Sequence, residues 1–267
     1  MVPVRLLAAF LLAGATAHAA EDRFPDVASA YLVRVREQVL WAGHPTKRLP
    51  PASLTKLMTA LLVLENYRPE AVVSVGRAAA AETGARLGLK AGERMRVKDL
   101  LAATLVRSAN DACHALAAWR AGSQARFVTW MNRRAAELGL TDTWFANACG
   151  LDAPGHYSSV QDLAVLADAA MRHATLADLV ARTEAVVRTA DGRRTFRFKN
   201  RNALIGRLPG AIGVKSGYTR KAGPCVVALA EREGVRVLLI MLNASNRWWD
   251  AHGMIERAFA EAGRRRE

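Results

Sequence analysis

Residues Leu57 to Leu64 are apolar on nearly every face of a helix. A helix with no polar side has no surface to give to water and belongs at the centre of a domain. That requirement constrains the rest of the chain, which must wrap the helix on all sides and lead into it from the interior. The lead-in is Pro51-Ala-Ser-Leu-Thr-Lys56, preceded by Pro50. If the helix starts near Ser53, its side chain and that of Lys56 share one face, with Cβ atoms roughly 5–6 Å apart. A serine hydroxyl is a weak nucleophile at neutral pH and needs a base beside it. A lysine serves as that base only where burial or a second cation disfavours the ammonium form. Ser53 and Lys56 are therefore a candidate nucleophile and base.

The chain has 267 residues, 51% of them hydrophobic, enough for one large or two small domains with a real core. The first twenty residues read separately. Met1 to Arg5 is a short basic start, Leu6 to Gly14 an apolar core, and Ala17-His18-Ala19 a small-x-small cleavage site, the pattern of a secretory signal peptide. The apolar run falls well short of the ~20 residues a membrane span needs. The expected organisation is a signal peptide over 1–19, a folded domain over 20–263 and a basic tail over 264–267. The expected location is periplasmic, with no membrane anchor.

Formal net charge is +14, and only seven of the cations are lysine. A basic surface attracts nucleic acid, anionic lipid or acidic polymers. Export argues against nucleic acid and leaves acidic envelope polymers, or simply a solvated arginine-rich surface. Three cysteines (Cys113, Cys149, Cys225) are an odd number for an exported chain, so at least one is unpaired or bonds between chains. Their spacing matches no zinc motif and the histidines form no H-x-x-x-H pair, so neither a metal nor another cofactor is expected. Buried thiols are the default reading.

Strands are expected at Ala30–Val35 and Val39–Ala42, a hairpin by length and content. The Ser53 helix is expected to run to about Asn66. From Gly76 to Met171 the pattern is mostly helical, with helices over Val97–Val106, Asp111–Trp119 and Ala125–Leu138, the last closing at Gly139. After a loop over Thr141–Gly155, Ser158 or Ser159 offers an N-cap for Gln161–Ala170. Beyond Ala181 the texture changes to strands: Ala185–Thr189 and Thr195–Phe198 around Asp191-Gly192, then Ile212–Val214, Cys225–Ala230 and Val235–Leu242. A helix over Trp248–Ala262 closes the chain. Strands come from both ends and helices from the middle. The fold class is therefore α+β: an antiparallel sheet flanked by helices, with a helical subdomain inserted between its halves. A groove between sheet and helical lobe would hold the site.

Three short patterns occur once each, Ser53-Leu-Thr-Lys56, Ser108-Ala-Asn110 and Lys215-Ser-Gly217. In this order they match the S-x-x-K, S-x-N and K-[TS]-G set of penicillin-binding proteins and serine β-lactamases. The flanks sharpen the match. Pro51 to Thr59, Leu87-Gly-Leu-Lys-Ala-Gly92, Ser108 to Cys113 and Val214 to Thr219 with Ala222-Gly223 resemble the low-molecular-weight D-alanyl-D-alanine carboxypeptidases. Asn147 with Gly150-Leu151, and Tyr157-Ser-Ser159 before Asp162-Leu163, extend the similarity, which covers roughly residues 25 to 262.

The resemblance implies a β-lactamase/transpeptidase-like fold and a serine peptidase acting on peptidoglycan stem peptides, with β-lactams as covalent inhibitors. Ser53 would attack the carbonyl between two D-alanines and Lys56 would take its proton. Ser108, able to donate and accept at once, would relay that proton towards the leaving amine. Asn110 would contact Lys56 and the substrate backbone. Alone, Ser108-Ala-Asn110 would read as a helix N-cap. Lys215 and Ser216 would hold the terminal carboxylate, with Lys215 also favouring the neutral form of Lys56. Gly217 would let the substrate approach the strand closely. Backbone N–H groups of Ser53 and Tyr218 would form the oxyanion hole.

Ser216 stands where threonine is usual, and Cys149 where histidine or threonine is common. Cys149 reads as a buried spectator or, near the groove, a free thiol. Arg220 and Arg247 are possible carboxylate ligands, with solvated arginines the simpler reading. The same residues would serve a DD-endopeptidase that cuts cross-links. A class A β-lactamase would need an E-x-x-x-N arrangement after the second motif. Here Thr143 stands four residues before Asn147, and no glutamate has an asparagine four residues on before the third motif. Relatives with a C-terminal β-domain and anchor helix extend further than this chain, which predicts a soluble enzyme.

Overall fold

The computed structural model describes residues 22–264. The expected signal segment lies outside them, as do residues 265–267, while Arg264 ends the last helix. The N-terminal hairpin is β1 (Ala30–Val35) and β2 (Gln38–Gly43). A single 3-10 turn, Ala52–Thr55, then leads into α1 (Lys56–Leu64). The helical part follows: β3 (Val72–Ser74), α2 (Arg77–Ala80), β4 (Arg94–Arg96), α3 (Val97–Ala102) with a π turn over Ala103–Arg107, α4 (Asn110–Ala121), α5 (Gln124–Glu137), α6 (Val160–Met171) and α7 (Ala174–Ala181). The chain returns through β5 (Glu184–Arg188), β6 (Thr195–Lys199), β7 (Ala211–Thr219), β8 (Gly223–Arg232) and β9 (Val235–Leu242), and ends in α8 (Arg247–Arg264).

The main sheet runs β2-β1-β9-β8-β7, antiparallel throughout. The pairing of β1 with β9, Leu32 opposite Ile240, joins the two ends of the chain across the sheet centre. The α+β architecture expected from the sequence, a sheet from both ends with helices inserted, is the one observed. Both faces of the sheet are covered, and the period-two rule sorts their side chains. Tyr31, Val33, Val226, Ala228, Leu239 and Met241 pack under α8. Leu32, Val227, Leu238 and Ile240 face the helical lobe. Every residue of α1 is buried, Lys56 included, with α4, α5 and α6 around it. The apolar run therefore occupies the central position its composition requires.

Local signals acted as expected at several ends. Ser159 Oγ accepts the N–H of Asp162 at the start of α6, and Gly139 takes a left-handed φ of 72° beyond α5. Other expectations need correction. The strand expected at Ile212–Val214 continues to Thr219, so Lys215-Ser-Gly217 lies inside β7 rather than at its end. Lys215 and Ser216 do not end the strand because the groove buries both. The helix beginning at Asn110 has Ala109 at its N-cap and no side-chain cap, so Ser108-Ala-Asn110 is not a capping motif. The three-residue strands β3 and β4 are too short to carry periodicity, and the stretch that holds α7 carries no expectation from the sequence.

The cysteines also differ. Cys113 and Cys149 form a disulfide with Cα atoms 6.0 Å apart, and Cys225 is a buried free thiol. Two of the three are therefore not free thiols. The fold lays α4 beside the loop before α6, across 36 residues of sequence, a proximity that no spacing rule reveals.

Candidate active site

The turn carrying Ser53 is gripped between two glycines. A Cβ on Gly217 of β7 would lie 2.9 Å from the Ser53 amide nitrogen, and one on Gly150 would lie 1.9 Å from the Ala52 carbonyl oxygen. Both backbones touch the turn only because no side chain intervenes. Ala52 itself has φ of 49°, an uncommon conformation for a residue with a Cβ.

One helical step on, Lys56 is fully buried. Its Nζ lies 3.0 Å from Ser53 Oγ, 2.8 Å from Asn110 Oδ1 and 2.6 Å from the Cys149 carbonyl oxygen. A charge of opposite sign acts on it from Glu82, whose carboxylate meets His114 Nδ1 at 2.6 Å. Burial pulls the Lys56 pKa down to about 7, with a smaller push in the same direction from Arg201 and an opposing pull from Glu82. A neutral amine has two N–H bonds and one lone pair. Asn110 Oδ1 and the Cys149 carbonyl can only accept, so they claim both N–H groups. The lone pair is left facing the Ser53 hydroxyl, as a general base requires.

The remaining motif residues line the opposite wall. Ser108 adopts a left-handed φ of 62°, which turns its hydroxyl to accept from Lys215 Nζ at 2.8 Å. Lys215 also donates to the Ser216 carbonyl at 2.8 Å and is buried. Its pKa falls well below the ordinary lysine value, first through burial and then through Lys56, Arg201 and Arg247. Burial leads the depression of Lys56, and the repulsion between Lys56 and Lys215, being mutual, disfavours the ammonium form of each. Two buried ammonium groups this close disfavour joint protonation. Asn110 donates one amide N–H to the Thr83 carbonyl at 2.6 Å, and Ser216 Oγ donates to the Arg201 carbonyl at 3.3 Å. Tyr218 is 65% exposed at the rim.

Between the walls lies a cleft of about 620 Å³. Ser53, Ser108, Ser216, Gly217 and Tyr218 line it, as do Arg107, Arg201, Arg247 and Trp248, with no aspartate or glutamate among the lining residues. Arg247 donates from Nη1 to the Gly217 carbonyl at 3.0 Å and stacks on Trp248, while its Nε is buried without a partner. Burial and neighbouring cations hold Arg201 and Arg247 below the usual guanidinium value. Arg247 therefore belongs to the site, against the solvated reading, whereas Arg220 is exposed as that reading expects. Sequence reasoning missed Arg107, Arg201 and Trp248. Only the position of Arg107 beside Ser108 was a usable signal.

The outer layer is also polar and satisfied. The Asp111 carboxylate accepts the N–H groups of Leu87, Gly88 and Leu89, which anchors that segment. Asn147 Oδ1 accepts from the amides of Cys149, Gly150 and Leu151, which fixes the loop behind Lys56 as a tight unit. His156 accepts the Ala146 N–H at Nδ1 and meets Thr55 Oγ1 at Nε2, so it is neutral with the proton on Nε2. Burial lowers its pKa to about 4.

The peptidase S11 family model, described as D-alanyl-D-alanine carboxypeptidase, matches residues 20–246. The chain is 36% identical to the D-alanyl-D-alanine carboxypeptidase DacF of Bacillus subtilis, over 82% of this chain and 58% of that protein. It thus spans less than two thirds of that relative. Among solved structures, the Streptomyces K15 DD-transpeptidase superposes with a TM-score of 0.83 at 30% identity, covering 88% of this chain and 97% of the other. Penicillin-binding protein D2 of Listeria monocytogenes, in its ampicillin-bound form, gives 0.78 at 31%, covering 89% and 99%.

Proposed function

The chain belongs to the peptidase S11 family of D-alanyl-D-alanine carboxypeptidases, and from that premise we propose that it removes the terminal D-alanine from peptidoglycan stem peptides through an acyl-enzyme on Ser53. The observation that carries the reading is the arrangement around Lys56. A buried amine with a pKa of about 7 has both N–H groups claimed by carbonyl oxygens and its lone pair 3.0 Å from the Ser53 hydroxyl.

The steps follow from the geometry. Ser53 attacks the carbonyl between the two D-alanines as Lys56 takes its proton. The developing oxyanion sits beside the amides of Ser53 and Tyr218, since Gly217 brings β7 against the Ser53 turn. Such donors commonly contribute ~3–4 kcal/mol to the transition state. The terminal carboxylate enters a cleft whose arginines lack a carboxylate partner among the described residues, near Lys215 and Ser216. The proton returns to the leaving amine by way of Lys56 and the Ser108 hydroxyl, which Lys215 holds in place. Water then releases the acyl group.

A β-lactam would enter the same way and leave slowly, because no carboxylate lines the cleft to activate a deacylating water. We further propose that residues 1–19 direct export to the periplasm and that the basic surface favours the acidic wall. No helix among the described residues is long and apolar enough to cross a membrane. Incubation with muropeptides of known structure tests the central reading. Released free D-alanine supports it, whereas cross-linked dimers falling to monomers without free D-alanine replaces it with the endopeptidase reading.

A further inference from the structure

Lys56 receives its two carbonyl contacts from different parts of the chain. Asn110 opens α4, and Cys149 lies in the loop between α5 and α6. The Cys113–Cys149 disulfide ties these two segments together, with Cys113 one helical turn beyond Asn110. Resting on the acyl-enzyme reading above, we propose that this disulfide is a positioning element for the catalytic base. It holds the Cys149 carbonyl against Lys56 Nζ, so that the amine presents its lone pair to Ser53.

Three further observations support this. Asn147 makes the loop over 147–151 a unit that moves together. Besides the Lys56 contact itself and the packing of Gly150 on the Ala52 carbonyl, that unit is tied to the helices behind Ser53 by the disulfide and by the hydrogen bond from Thr59 Oγ1 to the Ala148 carbonyl, 2.5 Å. On its outer side the loop borders a cavity of about 430 Å³ lined by Glu82, His114, Val128, Ala148 and Cys149. With the cross-link cut, the loop has room to shift outward and water can reach Nζ from behind. The Cys149 carbonyl then no longer claims an N–H, the amine rotates freely, and hydration favours the ammonium. The base becomes less available at neutral pH and recovers at higher pH.

The test is chemical reduction of the folded full-length protein by dithiothreitol. Each sulfur of the disulfide gains one electron and one proton, and dithiothreitol loses two of each to become its cyclic disulfide. Mass spectrometry after alkylation under denaturing conditions counts thiols, one before reduction (Cys225) and three after. In the native state the Cys225 thiol, buried and with its pKa raised to about 11, does not interfere.

Acylation by a fluorescent penicillin is then followed from pH 5 to pH 10 for the oxidised protein, the reduced protein and the Cys113→Ala/Cys149→Ala variant. The expected result is an acid limb shifted up by about one unit, giving roughly fivefold slower acylation at pH 7 and about tenfold at pH 5, with the loss recovered above pH 9. A cross-link that only stabilised the fold would lower activity without moving that limb. An unchanged pH profile, a loss equal at every pH, or three alkylated thiols in the unreduced protein overturns the proposal. If the double variant does not fold, reduced wild-type protein gives the same readout. Oxidised protein that takes no penicillin at all overturns the acyl-enzyme reading itself, a result distinct from labelling that ignores reduction.

Discussion

The two walls of the cleft solve different problems with the same kind of residue. Behind Ser53, Lys56 is enclosed by neutral acceptors, and burial is the main cause of its low pKa. Facing it, Lys215 is also buried, yet it sits among Arg201, Arg247 and Lys56 itself. The first wall is closed and its polar groups are satisfied by the protein. The second holds cations without carboxylate partners, and an Arg247 Nε with no acceptor, among the described residues. A group meant to transfer a proton is best isolated from charge and water. A group meant to hold a substrate anion is best left waiting for one. Both lysines donate to neutral oxygens, so the contrast teaches that two buried lysines in one site are set apart by the charges around them.

Breaking the closed wall should have the largest effect. Lys56→Met keeps the volume and removes the amine, and acylation by penicillin should slow by roughly 10²–10⁴-fold. Stopped-flow labelling of Lys56→Met protein with wild-type circular dichroism measures this. A variant acylating at the wild-type rate would exclude Lys56 as the base.

Behind Lys56, the His156 ring bridges Thr55 and Ala146. Its folded pKa of about 4 lies below the ordinary 6.5, so its contribution to stability is fully present above pH 6.5. That contribution is lost as the pH falls from 6.5 towards 4. The drop should be about 3 kcal/mol by the linkage relation. Urea unfolding at pH 7 and pH 4.5 should show a steeper loss for wild type than for His156→Asn, and equal slopes would contradict the neutral-ring assignment.

Protonating the base tests the same wall without mutation. Because Lys56 titrates near 7, acylation should rise with pH through that value and level off above it. At pH 5 it should be about a hundredfold below the plateau, one decade per unit. A rate still climbing at pH 9 would mean that burial does not depress this lysine.

On the open wall, Arg247→Leu should raise KM for a peptide ending in a free carboxylate more than it lowers kcat. Loss of a charge-assisted hydrogen bond of about 1.5–3 kcal/mol corresponds to roughly 10–100-fold in kcat/KM. A kcat effect alone, with KM unchanged, would move Arg247 from binding to the chemical step.

Much of this was readable along the chain because it depends on neighbours in sequence. Ser53 and Lys56 share a helical face through their three-residue spacing, and the run to Leu64 is buried because it has no polar side. The Asp191-Gly192 hairpin and the Ser159 cap are equally local. By contrast, β7 runs longer than its sequence pattern suggests, since Lys215 and Ser216 look like strand-ending polar residues until a groove buries them. Cys149 reads as a thiol because its partner, Cys113, lies in α4, 36 residues away.

The sequence by itself therefore determined the spacing that puts Ser53 and Lys56 side by side, the order of the three motifs and the α+β class, while the roles of that pair came from the family resemblance. Only the tertiary structure decided which acceptors claim the N–H groups of Lys56, that Cys149 is bonded to Cys113, and that Arg107, Arg201 and Arg247 share the cleft. Those facts depend on segments far apart in the chain meeting in a desolvated space. Burial and through-space charge, which set the chemistry of both lysines, have no counterpart in one-dimensional spacing.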